Sequence, residues 1–318
     1  MIFWLQTALG GTALGLVTAL FPETIPFKNN EGLEGKSILG KARVLYDRVS
    51  PVRVCVLLFS YPNLACAGLS AGALVWNQYS LLTPIRYVLN PRFHLTSPIQ
   101  SGLFYLAPGG GYVTGTFFGG RWADYIVRKW IRKRNGVRIP EDRLKSCLVF
   151  MIVSIPGWML IYGWTVDRAV GGIPVPVIAM FLQGVSQLFC FPSLNTYCLD
   201  VMQAKGRSAE VVAGNYLTRY VFAAVGSGVV LPAVEAIGIG WFSTISALFL
   251  VFSGCTVWLT ALYGPKWREA VDRKREEKDH PSSHDDDEKE EEEEEGEDVE
   301  KVDDIERGTK TTDTEKKA

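Results

Sequence analysis

The chain alternates between long apolar runs and short polar intervals. Seven runs approach the roughly 20 mostly apolar residues that a helix needs to cross a bilayer. They cover about residues 2–20, 54–75, 99–120, 148–164, 175–198, 211–234 and 241–263. None carries an acidic residue in its middle. Lipid offers backbone groups no hydrogen-bonding partner, so each run is predicted as a helix. The fourth is the shortest, and Pro156-Gly157 within it permits a kink. The first run begins at Ile2 with no Lys or Arg ahead of it. A cleaved signal peptide would start with basic residues. The fold class is therefore an all-α polytopic membrane protein with about seven transmembrane helices.

The intervals give these helices a direction. Residues 22–53 hold Lys28, Lys36, Lys41, Arg43, Arg48 and Arg53, and residues 121–145 hold nine more cations. Lys205, Arg207 and Arg219 surround the turn after the fifth run, which brings this side to eighteen. The opposite side holds Arg86, Arg92 and Arg168. Positive charge gathers on the cytoplasmic side of membrane proteins, so Met1 is expected outside and the C-terminus in the cytosol. Trp76, Trp122, Trp164 and Trp241 fall near predicted helix ends, where an indole suits the interface.

Composition agrees, and charge adds a division. The 318 residues are 47% hydrophobic and 21% charged, with a formal charge of −1. Residues 266–318 carry 12 basic and 23 acidic side chains of the chain's 33 and 34, which leaves 21 and 11 for the body. An apolar basic body thus precedes an acidic tail. The runs 285–288 and 290–295 are wholly acidic apart from the Lys289 between them, and such segments repel themselves and form no core. Cysteine and histidine show no metal spacing, and no disulfide, metal or cofactor is expected. Nucleic acid is not an expected partner.

The strongest local motif reads Gly119-Gly120-Arg121-Trp122-Ala123-Asp124-Tyr125-Ile126-Val127-Arg128-Lys129. It resembles the cytoplasmic loop motif of the major facilitator superfamily at Gly120, Ala123, Asp124, Arg128 and Lys129. Trp122, Tyr125 and Val127 depart from that pattern. Glycine permits a tight turn, and an aspartate suits the positive end of a neighbouring helix. The resemblance implies a latch, made of Gly120, Asp124, Arg128 and Lys129, that holds one conformation and releases in another. Leu20-Phe21-Pro22-Glu23-Thr24 is similar to the end of the sixth helix of fungal drug/proton antiporters. The wording GNYLTRY, FFGGRWADYIVRKW and GWFSTISALF resembles their quinidine-resistance and dityrosine-exporter branch.

That resemblance implies helices six to twelve of a twelve-helix transporter. Expected divisions are a sixth-helix equivalent at 1–22 and a central cytoplasmic loop at 23–53. A six-helix C-terminal bundle at 54–264 and a disordered acidic cytoplasmic tail at 265–318 complete them. The chain is expected to be truncated relative to the complete transporter. The implied function is export of small organic molecules or drugs by alternating access, coupled to protons, in the plasma membrane. The implied partners are a small-molecule substrate, the lipid bilayer and a proton as coupling ion.

Polar residues at depth are the candidate substrate contacts. Gln183 and Gln187 are four apart and share a helix face. By resemblance, the second and fifth runs line the central path, which adds Asn63, Asn77, Gln78 and Asn195. Asn77 and Gln78 approach the outer interface on this reading. The alternative for all of them is hydrogen bonding between helices. Gly111, Gly115 and Gly119 line one helix face, where small residues allow close approach, either static or sliding. Pro108-Gly109-Gly110-Gly111 is a candidate flexible point. Glu235 sits near an outward helix end, and no proton carrier is assigned. A seven-helix membrane receptor has the same topology and remains the alternative function. A membrane-embedded enzyme finds no His cluster or Ser/His pairing here.

Overall fold

A computed structural model describes residues 2–21, 50–94 and 98–279. Contacts divide the chain into two units, Met1–Arg53 and Val54–Ala318. The first contains α1 (Ile2–Leu20), a 19-residue apolar helix. The interval 22–49 and the acidic runs beyond residue 279 lie outside the described residues.

The second unit is a helical bundle. Its elements are α2 (Pro51–Ser60), α3 (Pro62–Leu82), α4 (Pro98–Phe104) and α5 (Leu106–Lys133). They are followed by α6 (Pro140–Arg168), α7 (Pro174–Gln203), α8 (Ser208–Ile237) and α9 (Ile239–Asp279). The closest neighbours are α5 with α7, α3 with α8 and α9, and α6 with α9 and α7. Five described helices are long and apolar enough to cross a membrane, or six if α2 and α3 count as one bent span. The third predicted run is not among them: α4 and α5 break it at Tyr105, and α5 carries the cations of its last turns.

Proline places most departures from straight helix. The predicted run 54–75 is not one helix. It bends by 110° between α2 and α3, where Tyr61 is extended (φ −110°, ψ 105°) ahead of Pro62. Proline lacks an N–H and disfavours helical geometry in the residue before it. Two wide π turns, Ile85–Leu89 and Phe150–Ser154, end just before Pro91 and Pro156. A wide turn gives the ring room against the preceding carbonyls.

Two corrections follow. Trp76 is not at a helix end: α3 continues past it to Leu82, and its Nε1 donates to Ser246 Oγ on α9 at 3.2 Å. At the C-terminal end, α9 does not stop where its apolar run ends. It continues through Lys266 and Arg268 to Asp279, inside the segment read as disordered tail. Tyr61 Oη donates to Asp272 Oδ1 at 2.9 Å, and Lys205 pairs with the same carboxylate. Arg268 pairs with Glu141 at 3.1 Å. These contacts dock the polar extension of α9 onto the bundle.

The core has two apolar clusters. One surrounds Tyr61, Leu64, Leu144, Leu194 and Tyr197, and the other surrounds Leu81, Met159, Tyr162 and Met180. Where α5 meets α7 the helices touch almost without side chains. A Cβ on Gly111 would overlap Phe181 O, and one on Gly115 or Gly119 would lie 2.7 Å from a carbonyl of α7. Gly184 returns the fit, with Pro108 O 2.8 Å from where its Cβ would be. Pro108 and Gly111, read as a flexible point, are buried in this contact.

Candidate functional site: a buried amide layer and a basic rim

On α3 the first apolar cluster ends at Leu74 and the second begins at Leu81. On α7 the clusters leave a gap between Met180 and Cys190. Asn77, Gln183 and Gln187 occupy that interval, so they form a polar layer between two apolar ones. All three are fully buried. Asn77 therefore lies mid-bundle and not at the outer interface, because α3 begins late and extends further than its apolar run.

The layer is hydrogen-bonded across helices. Gln183 Nε2 donates to Asn77 Oδ1 at 2.8 Å and to Gln187 Oε1 at 3.3 Å. Gln187 Nε2 donates to Leu74 O at 3.0 Å and to Gln78 Oε1 at 3.5 Å. Tyr112 Oη reaches Gln187 Oε1 from α5 at 3.4 Å. Gln78 and Tyr112 are half-buried and form the open end of the layer. Asn77 Nδ2 and Gln183 Oε1 are buried without a partner. A buried polar atom without a partner costs about 1–3 kcal/mol.

The other predicted residues stand apart. Asn63 is fully buried near the α2–α3 bend, and its Nδ2 donates to Tyr197 Oη at 3.0 Å. Asn195 is half-buried, and its Oδ1 accepts from Asn215 Nδ2 and Arg219 Nη2, both at 2.9 Å. Arg219, expected just inside the sixth run, lies in α8 eleven residues beyond its first residue, Ser208.

The motif around Asp124 lies at the basic end of α5. Arg121, Asp124, Tyr125, Arg128, Lys129 and Arg132 line a recess of about 470 Å3 on one face of the helix. Asp124, Arg128 and Lys129 are exposed, and a Cβ on Gly120 would meet open space. Among the described residues Asp124 has no hydrogen-bonding or ionic partner. Glu141, Asp142, Asp200 and Glu210 at this end are paired with cations.

Those pairs form a rim that the sequence analysis missed. Arg134 binds Asp142 with two nitrogens at 2.6 and 2.8 Å, and Lys145 adds a contact at 3.0 Å. Asp142 is fully buried beneath them. Asn135 and Gly136, with φ of 55° and 98°, turn the chain so that Arg134 faces Asp142. Arg138 and Arg143 both reach Asp200 at 3.1 Å. Asp142 stands out in a basic stretch, which was the available signal there, whereas Asp200 follows the apolar run of α7. Among the described residues no cluster of three or more His, Cys, Asp or Glu is placed to hold a metal.

Apolar spans, a buried uncharged layer and a charged rim define a polytopic membrane protein. The chain belongs to the major facilitator superfamily, whose profile matches residues 1–227. It is 26% identical over 215 residues to quinidine resistance protein 3 of Saccharomyces cerevisiae, covering 68% of this chain and 31% of that protein. To the MFS antiporter QDR3 of Candida albicans it is 28% identical over 232 residues, or 71% of this chain and 32% of the antiporter. Dityrosine transporter 1 of Saccharomyces cerevisiae is 25% identical over 283 residues, with coverages of 76% and 48%. The chain thus spans about a third to a half of these relatives. They support the fungal drug-antiporter branch and give the receptor alternative no support. No solved structure matches the chain significantly.

Proposed function

We propose that this chain supplies the C-terminal bundle, with one preceding helix, of a plasma-membrane exporter of small organic molecules or drugs. The observation that carries this is the layer of Asn77, Gln183 and Gln187, opening at Gln78 and Tyr112. Uncharged amides orient a polar substrate without the cost of a fixed charge at membrane depth. Transport then proceeds by rocking of two bundles about this midplane layer, with proton influx as the driving force. Asp124 with Arg128 and Lys129 latches the cytoplasmic face through a helix of the opposing bundle. The names of the relatives, which include quinidine resistance and an antiporter, support the substrate class and the coupling.

By this reading residues 1–22 are the sixth-helix equivalent and 23–53 the central cytoplasmic loop. Residues 54–264 form the transport bundle, and 265–318 form a cytoplasmic tail whose first part is the docked end of α9.

The test is quinidine accumulation in yeast. One strain carries the 318-residue chain, and a second carries it joined behind the N-terminal part of quinidine resistance protein 3. Lower accumulation only in the second strain, lost on adding a protonophore, is the expected result. Equal export by both strains, or none from a joined protein that reaches the cell surface, overturns the proposal.

A further inference from the structure

Arg219 is a charge in an awkward place. The helix that carries it, α8, has 30 residues and so spans about 45 Å, against about 30 Å of hydrocarbon. Glu210 and Glu235 stand near its two ends. Arg219 lies about 17 Å from Ser208 along the helix axis, well inside the apolar stretch. An arginine at that depth faces protein or water, and it marks a substrate or ion path when no carboxylate neutralises it.

No described carboxylate does so. The ionisable groups nearest its charge are Tyr216, Cys198 and Tyr220. Its one hydrogen bond in the described structure is Nη2 to Asn195 Oδ1, and its Nε is buried with no partner. Asn215 Nδ2 donates to the same Oδ1 at 2.9 Å, so Asn195 is held from two sides. The Nδ2 of Asn195 has no partner among the described residues. Aromatic rings flank the cation: Phe191 lies 4.4 Å and Tyr216 5.3 Å from the guanidinium carbon, and Tyr220 stacks on Tyr216 at 6.3 Å. Tyr216 and Tyr220 are exposed, 43% and 68%.

We infer that Arg219, oriented by Asn195 and flanked by Phe191 and Tyr216, with Tyr220 stacked on Tyr216, binds the carboxylate of an aromatic organic acid. A guanidinium fork matches a carboxylate with two parallel hydrogen bonds. A monoanion cancels the single charge of Arg219, whereas a phosphate dianion would leave one charge over at membrane depth. The tyrosine pair offers the ring of the ligand a stacking face. This inference rests on the transporter reading and names one substrate class for it.

Calorimetry on the 318-residue chain in lipid nanodiscs tests it, with 3-phenylpropionate and its uncharged amide as probes. The acid binds at least tenfold more tightly than the amide to the unaltered chain. Arg219→Gln removes that preference, and Arg219→Lys keeps part of it. Asn195→Asp also removes it, because it places a carboxylate on the guanidinium while keeping the fold. That variant carries the test if Arg219→Gln does not fold. Equal binding of acid and amide, no binding of either, or a preference that survives both variants overturns the inference. Quinidine export by the joined protein with no acid preference leaves the transporter reading standing and sinks only this assignment. Acid preference without export does the reverse.

Discussion

Gln183 on α7 donates its amide hydrogen to Asn77 Oδ1 on α3 across 2.8 Å, between two fully buried side chains. This bond joins two helices on which the apolar core is interrupted at the same level. Gln183→Met takes the one partner from Asn77 Oδ1 and leaves both polar atoms of Asn77 unpaired, whereas Asn77→Leu leaves Gln183 Nε2 with only its 3.3 Å contact to Gln187 Oε1. Each single change lowers stability by about 1–2 kcal/mol, and the pair couples by about 1 kcal/mol. A double-mutant cycle on unfolding in detergent measures this. Strict additivity would mean that the bond contributes nothing.

Gly115 allows α5 and α7 to meet through backbone. A Cβ there would lie 2.7 Å from Val185 O and 2.8 Å from Leu188 Cβ, and a carbonyl in a helix cannot step aside. Gly115→Ala therefore costs about 1–3 kcal/mol through overpacking. Gly120→Ala changes stability by less than about 0.5 kcal/mol, because its Cβ meets nothing within 4 Å. Thermal unfolding midpoints of the two variants separate these outcomes.

Asp142 is fully buried beneath Arg134 and Lys145, which are themselves partly exposed at 28% and 20%. Asp142→Asn removes its charge and leaves the two cations crowded together. Their partial hydration limits the loss to about 1–3 kcal/mol. Unfolding at low and high salt checks this: high salt narrows the gap between variant and parent by screening the two cations.

Asp124 has no partner among the described residues, so its removal leaves this chain's unfolding midpoint unchanged. In the joined protein, Asp124→Asn slows quinidine export at least tenfold if the aspartate latches onto an opposing helix. An unchanged export rate would reduce the motif to a topology signal.

The helices were legible because lipid demands apolar runs, and five of the seven predicted runs fall on single helices long and apolar enough to span, or six with the bent α2–α3 pair. Phase was harder to read. The run 54–75 straddles a bend at Pro62, and that error carried Asn77 toward the surface when it belongs at the centre. The pair Gln183 and Gln187 was visible from spacing alone, but their partner across the interface was not. Arg219 falls just inside the run 211–234, where it counts toward the positive side, but how deep it sits is not written in the sequence. Its partner Asn195 lies on the previous helix and shows only in three dimensions. Of the rim pairs, Arg134 with Asp142 is local in sequence, whereas Arg143 with Asp200 meets only in the fold.

The glycine seam between α5 and α7 separates two kinds of evolutionary freedom. At Gly111, Gly115, Gly119 and Gly184 almost any substitution collides with main chain, so drift is blocked there. Gln78 and Tyr112, at the half-buried mouth of the amide layer, press on no such seam. A lineage with this bundle is free to exchange the half-buried side chains at the mouth of the amide layer while the backbone contact of α5 with α7 stays fixed.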